Sequence, residues 1–172
     1  MIRALSLAAV VACGPIPPPA PDPDQPPPPA LGTEKPLPGL DRTWSQLDKV
    51  AKVRVMKDWV LPMGRDMFVG YNRDRYESFA CTTCHGDRAN RGEYAMPNPQ
   101  LLPLGFGPDS GYAELVARRP ELVAFMKTKL SPAMADVLGK SQWAEDNPDG
   151  FGCWSCHPKT DKIPRSLIAP EH

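Results

Sequence analysis

Two pentapeptides, Cys81-Thr82-Thr83-Cys84-His85 and Cys153-Trp154-Ser155-Cys156-His157, hold most of the reactive side chains in a 172-residue chain with five cysteines and three histidines. Each reads C-x-x-C-H, the run that attaches c-type haem. On one turn of helix, positions i, i+3 and i+4 share a face. Both thiols can therefore reach the two vinyl groups of a porphyrin while the next residue turns its imidazole toward the iron. Cys81, Cys84, Cys153 and Cys156 are expected to carry two covalently attached haems c, with His85 and His157 as iron ligands. A four-thiolate zinc site uses the same short cysteine spacing, but it does not require a histidine directly after each pair. Disulfides fit less well, because the cysteine count is odd.

The sixth iron ligand must come from elsewhere. Two of the three histidines belong to the motifs, so only His172 could supply another imidazole, and methionine is the other usual partner. No methionine follows the second motif. Met134 and Met126 are the nearest upstream. Met134 follows Pro132 and precedes Cys153 by 19 residues, while Met63 follows Pro62 and precedes Cys81 by 18. Symmetry therefore favours Met63 for the first haem and Met134 for the second. Met67, four residues beyond Met63, is the closest rival, and Met96 in Ala95-Met96-Pro97 resembles the downstream Met-Pro of class I cytochromes c. Each methionine also has a plain packing role open to it.

The elements that must position these groups read as an internal duplication. A shift of 70 residues lays Val53 on Val123, Met56-Lys57 on Met126-Lys127, Pro62 on Pro132 and Asp66 on Asp136. A shift of 72 lays Phe79 on Phe151 and one pentapeptide on the other. Each repeat (about 44–92 and 112–160) predicts a helix, a loop and a motif-bearing helix. Thr43-Trp44-Ser45-Gln46 reads as a capping box for a helix from Trp44 toward Leu61. Pro62 starts or kinks the next stretch, ending near Gly70. Pro120 opens the matching helix, Pro132 repeats the kink and Gly139 the stop. No segment alternates like a strand, so the expected fold class is all-α with long loops. Trp154, Phe79 and Phe151 are expected to pack against haem.

Ahead of this domain (39–172), residues 1–12 read as a signal peptide: Arg3, an apolar run and small residues before Cys13. Val10-Val11-Ala12-Cys13 resembles a bacterial lipobox, which makes Cys13 the lipidated first residue of the mature chain. A plain secretory signal is the alternative. Residues 13–38 form a proline-rich linker, whose polyproline tract reaches on the order of 70 Å when extended. A ligand for a proline-recognising domain is the competing reading. Lys+Arg and Asp+Glu both total 20, giving formal net charge zero; nothing points to nucleic acid.

In its order of upstream methionine on a helix, loop, and C-x-x-C-H on a second helix, the stretch from Val53 to Lys159 resembles the repeat of the photosynthetic reaction-centre cytochrome subunit. That family usually carries four haems, and this chain matches about half of it. The resemblance implies thioether anchoring at the four motif cysteines, proximal ligation by His85 and His157, and distal ligation by helical methionines. It does not imply photosynthesis. The expected function is electron transfer between redox partner proteins by a lipid-anchored dihaem cytochrome c rather than enzymatic catalysis. Resemblance to bacterial c-type cytochromes sets it on the periplasmic side of the membrane, and Gly14, in place of an inner-membrane retention aspartate, favours the outer membrane. The alternatives are a dihaem peroxidase-like enzyme with one open iron, or a zinc-binding or sensor lipoprotein.

Overall fold

The computed structural model describes residues 34–168. Cys13, the leader, most of the proline tract and His172 lie outside the described residues. Among those described the chain is mostly helical, with no strands and a few isolated bridges, as the absence of alternating patterning predicts.

The first helix begins later than its capping box suggests. Thr43 N–H donates to Gln46 Oε1 (2.9 Å) and Gln46 N–H donates to the Thr43 carbonyl (3.1 Å), but this box closes a single 3-10 turn, Trp44–Gln46. Leu47 is extended and buried in the core, which interrupts the helix expected from Trp44. Asp48 then caps a new start, its Oδ1 accepting from Ala51 N–H at 2.8 Å, a bond that satisfies one orphan amide of the first turn.

From there α1 (Lys49–Val55) passes through a π-helical turn, Met56–Val60, into α2 (Leu61–Tyr71). Pro62 has no N–H to give the carbonyl four residues back, and its ring crowds that carbonyl. The widened turn ahead of it absorbs the misfit, and Leu61 N–H bonds to the Met56 carbonyl five residues back. The later segment does the same. After the short helices α3 (Arg73–Tyr76), α4 (Cys81–His85) and α5 (Tyr112–Arg118), α6 (Pro120–Phe125) leads through a π turn, Met126–Leu130, into α7 (Ser131–Val137), and Ser131 N–H bonds to the Met126 carbonyl. Proline kinks were expected at both places; what forms is a continuous helix with a local widening.

α7 ends on a Schellman turn, with Gly139 N–H bonded to the Asp136 carbonyl (3.0 Å) and Lys140 N–H to that of Ala135 (2.8 Å). Gly139 has φ +61°, and a Cβ there would strike the Lys35 carbonyl. That close approach belongs to a second contact. Lys35 N–H donates to the Gly139 carbonyl, Lys140 Nζ lies 2.7 Å from Glu34 Oε1, and Leu37 is 1 % exposed. Residues 34–38, assigned to the linker from sequence, are thus packed onto the domain. Burial alone would raise the Glu34 pKa, but hydrogen bonds from Lys140 and Ser45 outweigh it and hold the carboxyl at about 2.

Two apolar clusters result. Leu37, Leu47 and Val55 pack with Trp44 and Trp59; Leu104, Leu115, Ile163 and Ile168 pack with Tyr112, Val123 and Trp154. Between α2 and α6 runs an aromatic chain in which Phe68 stacks on Phe79 (5.0 Å between centroids) and meets Phe125 edge-on (5.2 Å).

Candidate functional site

The two pentapeptides fold by the same local device. In the first, α4 (Cys81–His85), Thr83 N–H donates to the Ala80 carbonyl (3.0 Å) and Thr83 Oγ1 accepts from Ala80 N–H (3.1 Å). In the second, a 3-10 turn at Cys153–Ser155, Ser155 N–H donates to the Gly152 carbonyl and its Oγ accepts from Gly152 N–H, at 3.0 and 3.1 Å. His157 N–H then bonds to the Cys153 carbonyl at 2.9 Å, so the turn carries through to the histidine. A hydroxyl at the third motif position in both copies was the visible signal for this cap, and sequence reasoning passed over it.

Each histidine offers its Nε2 differently. His157 Nδ1 lies 2.8 Å from the Leu102 carbonyl; a carbonyl only accepts, so Nδ1 holds the proton and Nε2 keeps its lone pair. His85 Nδ1 is buried beside the Tyr94 backbone without the geometry of a full hydrogen bond, and the Tyr94 ring meets the imidazole edge-on at 5.3 Å. Burial lowers both imidazole pKa values, and the Tyr94 and Leu102 backbones offset part of that. The residue after His85 is Gly86 at φ +71°, ψ −173°, a conformation open essentially only to glycine, with the Asn98 and Gln100 side chains against it.

Burial also raises the thiols. Cys84 is pushed to about 11, with a further push from Cys81; Cys156 reaches about 12, with further pushes from Cys84 and Cys153. Cys84 and Cys156 lie close together, with Asn98 bonded to the backbone carbonyl of each.

A cavity of about 870 Å³ opens beside them, toward the upper end of the roughly 300–1,000 Å³ spanned by cofactor pockets. Cys81, Cys84 and His85 line it from the first motif, Ser155 and Cys156 from the second. Phe79 and Phe151 line it too, where haem-packing residues were expected. Trp154 does not: its Nε1–H bonds to the Leu104 carbonyl (3.0 Å), Lys159 lies over its ring, and Cys153 packs beside it in the same cluster.

Three methionines border the cavity: Met56, Met96 and Met134. Met63 and Met67 do not. The helix face turned inward carries Val53, Met56, Val60, Gly64 and Phe68, and Met63 and Met67 each sit one residue, about 100° of rotation, ahead of an inward position. Under the 70-residue shift Met134 aligns with Gly64, not with Met63. Gly64 has no side chain because Phe79 packs directly over it.

No family model, curated protein or solved structure matches the chain.

The largest feature hidden from sequence reasoning is the segment between the repeats. Residues 98–104 lie along the second motif as a strap: Asn98 N–H donates to the Cys156 carbonyl (3.0 Å), Leu102 accepts from His157, and Leu104 N–H donates to the Pro158 carbonyl (2.8 Å). Asn-Pro-Gln-Leu-Leu-Pro carries no periodic pattern, so only the tertiary structure assigns it this work.

The side chains of the first motif suit covalent haem: it faces a large apolar cavity lined by an imidazole, two thiols and methionine side chains, and Lys49, Lys52 and Lys57 on its border can neutralise carboxylates, whereas Cys153 and His157 of the second motif do not line that cavity. Among the described residues no three His, Cys, Asp or Glu side chains converge to hold a metal ion.

Proposed function

We propose that this protein is a dihaem c-type cytochrome that carries electrons between redox partners. The observation that carries this reading is the pair of C-x-x-C-H turns whose second cysteines, Cys84 and Cys156, line one cavity together with His85 and three methionines. Covalently bound haem supplies a one-electron iron couple, and a methionine ligand raises its potential. Cys81, Cys84, Cys153 and Cys156 would hold the two groups, and His85 and His157 would present Nε2. The Leu102 carbonyl fixes the tautomer that His157 needs for this. Met134, which lines the cavity with His85 and not with His157, is the leading distal candidate.

The helix, π turn, proline-bearing helix and motif occur in the same order twice, which supports origin by duplication. The resemblance to a reaction-centre cytochrome repeat rests on the same order of parts. Anchoring through Cys13 on the periplasmic side is part of the proposal; among the described residues no helix is long and apolar enough to cross a membrane. Cys13→Ser is expected to release the protein from the membrane fraction, and unchanged tight association would contradict lipid anchoring.

The alternative with an open iron is separated by carbon monoxide. Holoprotein reduced with dithionite should leave its Soret spectrum unchanged when the gas is added, because His and Met together would leave neither iron an open position. Uptake by one haem would turn the reading toward a peroxidase-like enzyme.

A further inference from the structure

Asn98 is among the few buried polar residues, at 3 % exposure, and it touches both motifs. Its side-chain Nδ2 donates to the Cys84 carbonyl (2.9 Å), and its backbone N–H donates to the Cys156 carbonyl (3.0 Å). Its other two polar groups are also engaged. Oδ1 accepts from Gln100 N–H (3.0 Å), and its carbonyl accepts from Leu101 N–H (3.1 Å). With a carbonyl on one side and an amide on the other, the orientation of the Asn98 amide is fixed by its partners. Gln100 braces the arrangement from outside: its Oε1 accepts from Asp87 N–H (2.7 Å) and its Nε2 donates to Asp87 Oδ2 (3.0 Å).

Both bonded carbonyls belong to the second cysteine of a motif, a residue that on the dihaem reading is tethered to porphyrin. Distance and angle between two such tethers follow the residue that joins them, and a buried asparagine with each of its polar atoms in a hydrogen bond is a stiff joint. We infer that Asn98 is a positioning residue that sets the relative placement of the two haems, and with it their electronic coupling. Nothing else among the described hydrogen bonds spans Cys84 and Cys156 in this way. This inference rests on the dihaem reading and adds to it the device that spaces the pair.

The test uses full-length holoprotein and Soret circular dichroism, where two coupled haems give a bisignate band. Asn98→Asp keeps the shape and the acceptor for Gln100 but turns an oxygen toward the Cys84 carbonyl in place of the donor. The expected result is loss of the bisignate band, and a changed separation between the two midpoint potentials, with two covalent haems still present by pyridine haemochrome. Gln100→Met removes only the outer brace and should weaken the band without abolishing it. Asn147→Ala, which breaks side-chain bonds to Ser141 Oγ and the Gln142 carbonyl in another loop, controls for general loosening and should leave the band intact. An unchanged band in both Asn98→Asp and Gln100→Met overturns the inference, as does a two-haem wild type with no bisignate band, or an equal loss in Asn147→Ala. A wild type without haem fails the dihaem reading itself, which is a distinguishable result.

Discussion

A methionine can complete an iron only if its sulfur faces the cavity that the proximal histidine borders. Met134 on α7, Met56 and Met96 line the cavity that His85 borders, while Met63 and His157 lie off that lining. Replacing Met134 with Ala should abolish one far-red methionine-to-iron charge-transfer band and lower that haem's potential, because the iron loses a ligand that favours the reduced state. Met63→Ala should retain both bands. Optical and electrochemical titration of the two variants checks this, and the reverse pattern would contradict the lining. Spacing alone names the motif cysteines and histidines as the candidates. The distal ligand was not legible in this way, because choosing Met63 over a neighbour depends on helix phase, and a one-residue error turns a side chain about 100° away. Thr83 and Ser155 were visible as a repeated hydroxyl, yet their role appears only once Ala80 and Gly152 are seen to need an acceptor.

At the scale of elements, the paired prolines forecast where both long helices would be disturbed, since a missing N–H leaves a fixed mark on any helix. The forecast placed kinks, and the chain answers with π turns at Met56–Val60 and Met126–Leu130 that keep each helix continuous. The start of α1 was misjudged because Thr43 and Asp48 are both competent caps, and burial of Leu47 decides between them. Gly139, read as a helix stop, has a further duty that sequence could not reveal: its left-handed turn brings it against Lys35. Gly139→Ala combines a positive φ with a backbone collision, so chemical denaturation should show a loss of about 2 kcal/mol or more. A neutral effect would mean that the 34–38 segment does not dock on α7.

For the molecule as a whole, that docking makes stability depend on acid. Glu34 titrates near 2 in the folded chain against 4.5 as its ordinary value. A carboxyl whose folded pKa is depressed contributes its full stability above the ordinary value and loses it as pH falls through the folded one. The contribution is on the order of 2 kcal/mol once the partial exposure of Lys140 is allowed for. Glu34→Gln should lower stability at neutral pH by about that much and flatten the wild-type decline between about pH 4.5 and 2; urea melts across this range would show a parallel offset instead if the ion pair were irrelevant. The all-α class was legible from the lack of strand alternation. The edge of the domain was not, because Leu37 sits among prolines and only its partners reveal that it is core. The strap at 98–104 was hidden for a related reason: it meets the second motif through its own backbone groups, which side-chain patterns do not record.

The central claim is that each pentapeptide holds one haem, and the most direct measurement is covalent haem per chain, by intact mass and pyridine haemochrome, on protein made in cells with a haem-attachment system. The wild type should carry two haems, and replacing either Cys81 with Cys84, or Cys153 with Cys156, by Ala should leave one. A wild type that binds zinc and no haem, or two attached haems after both cysteines of one motif are lost, would contradict the account.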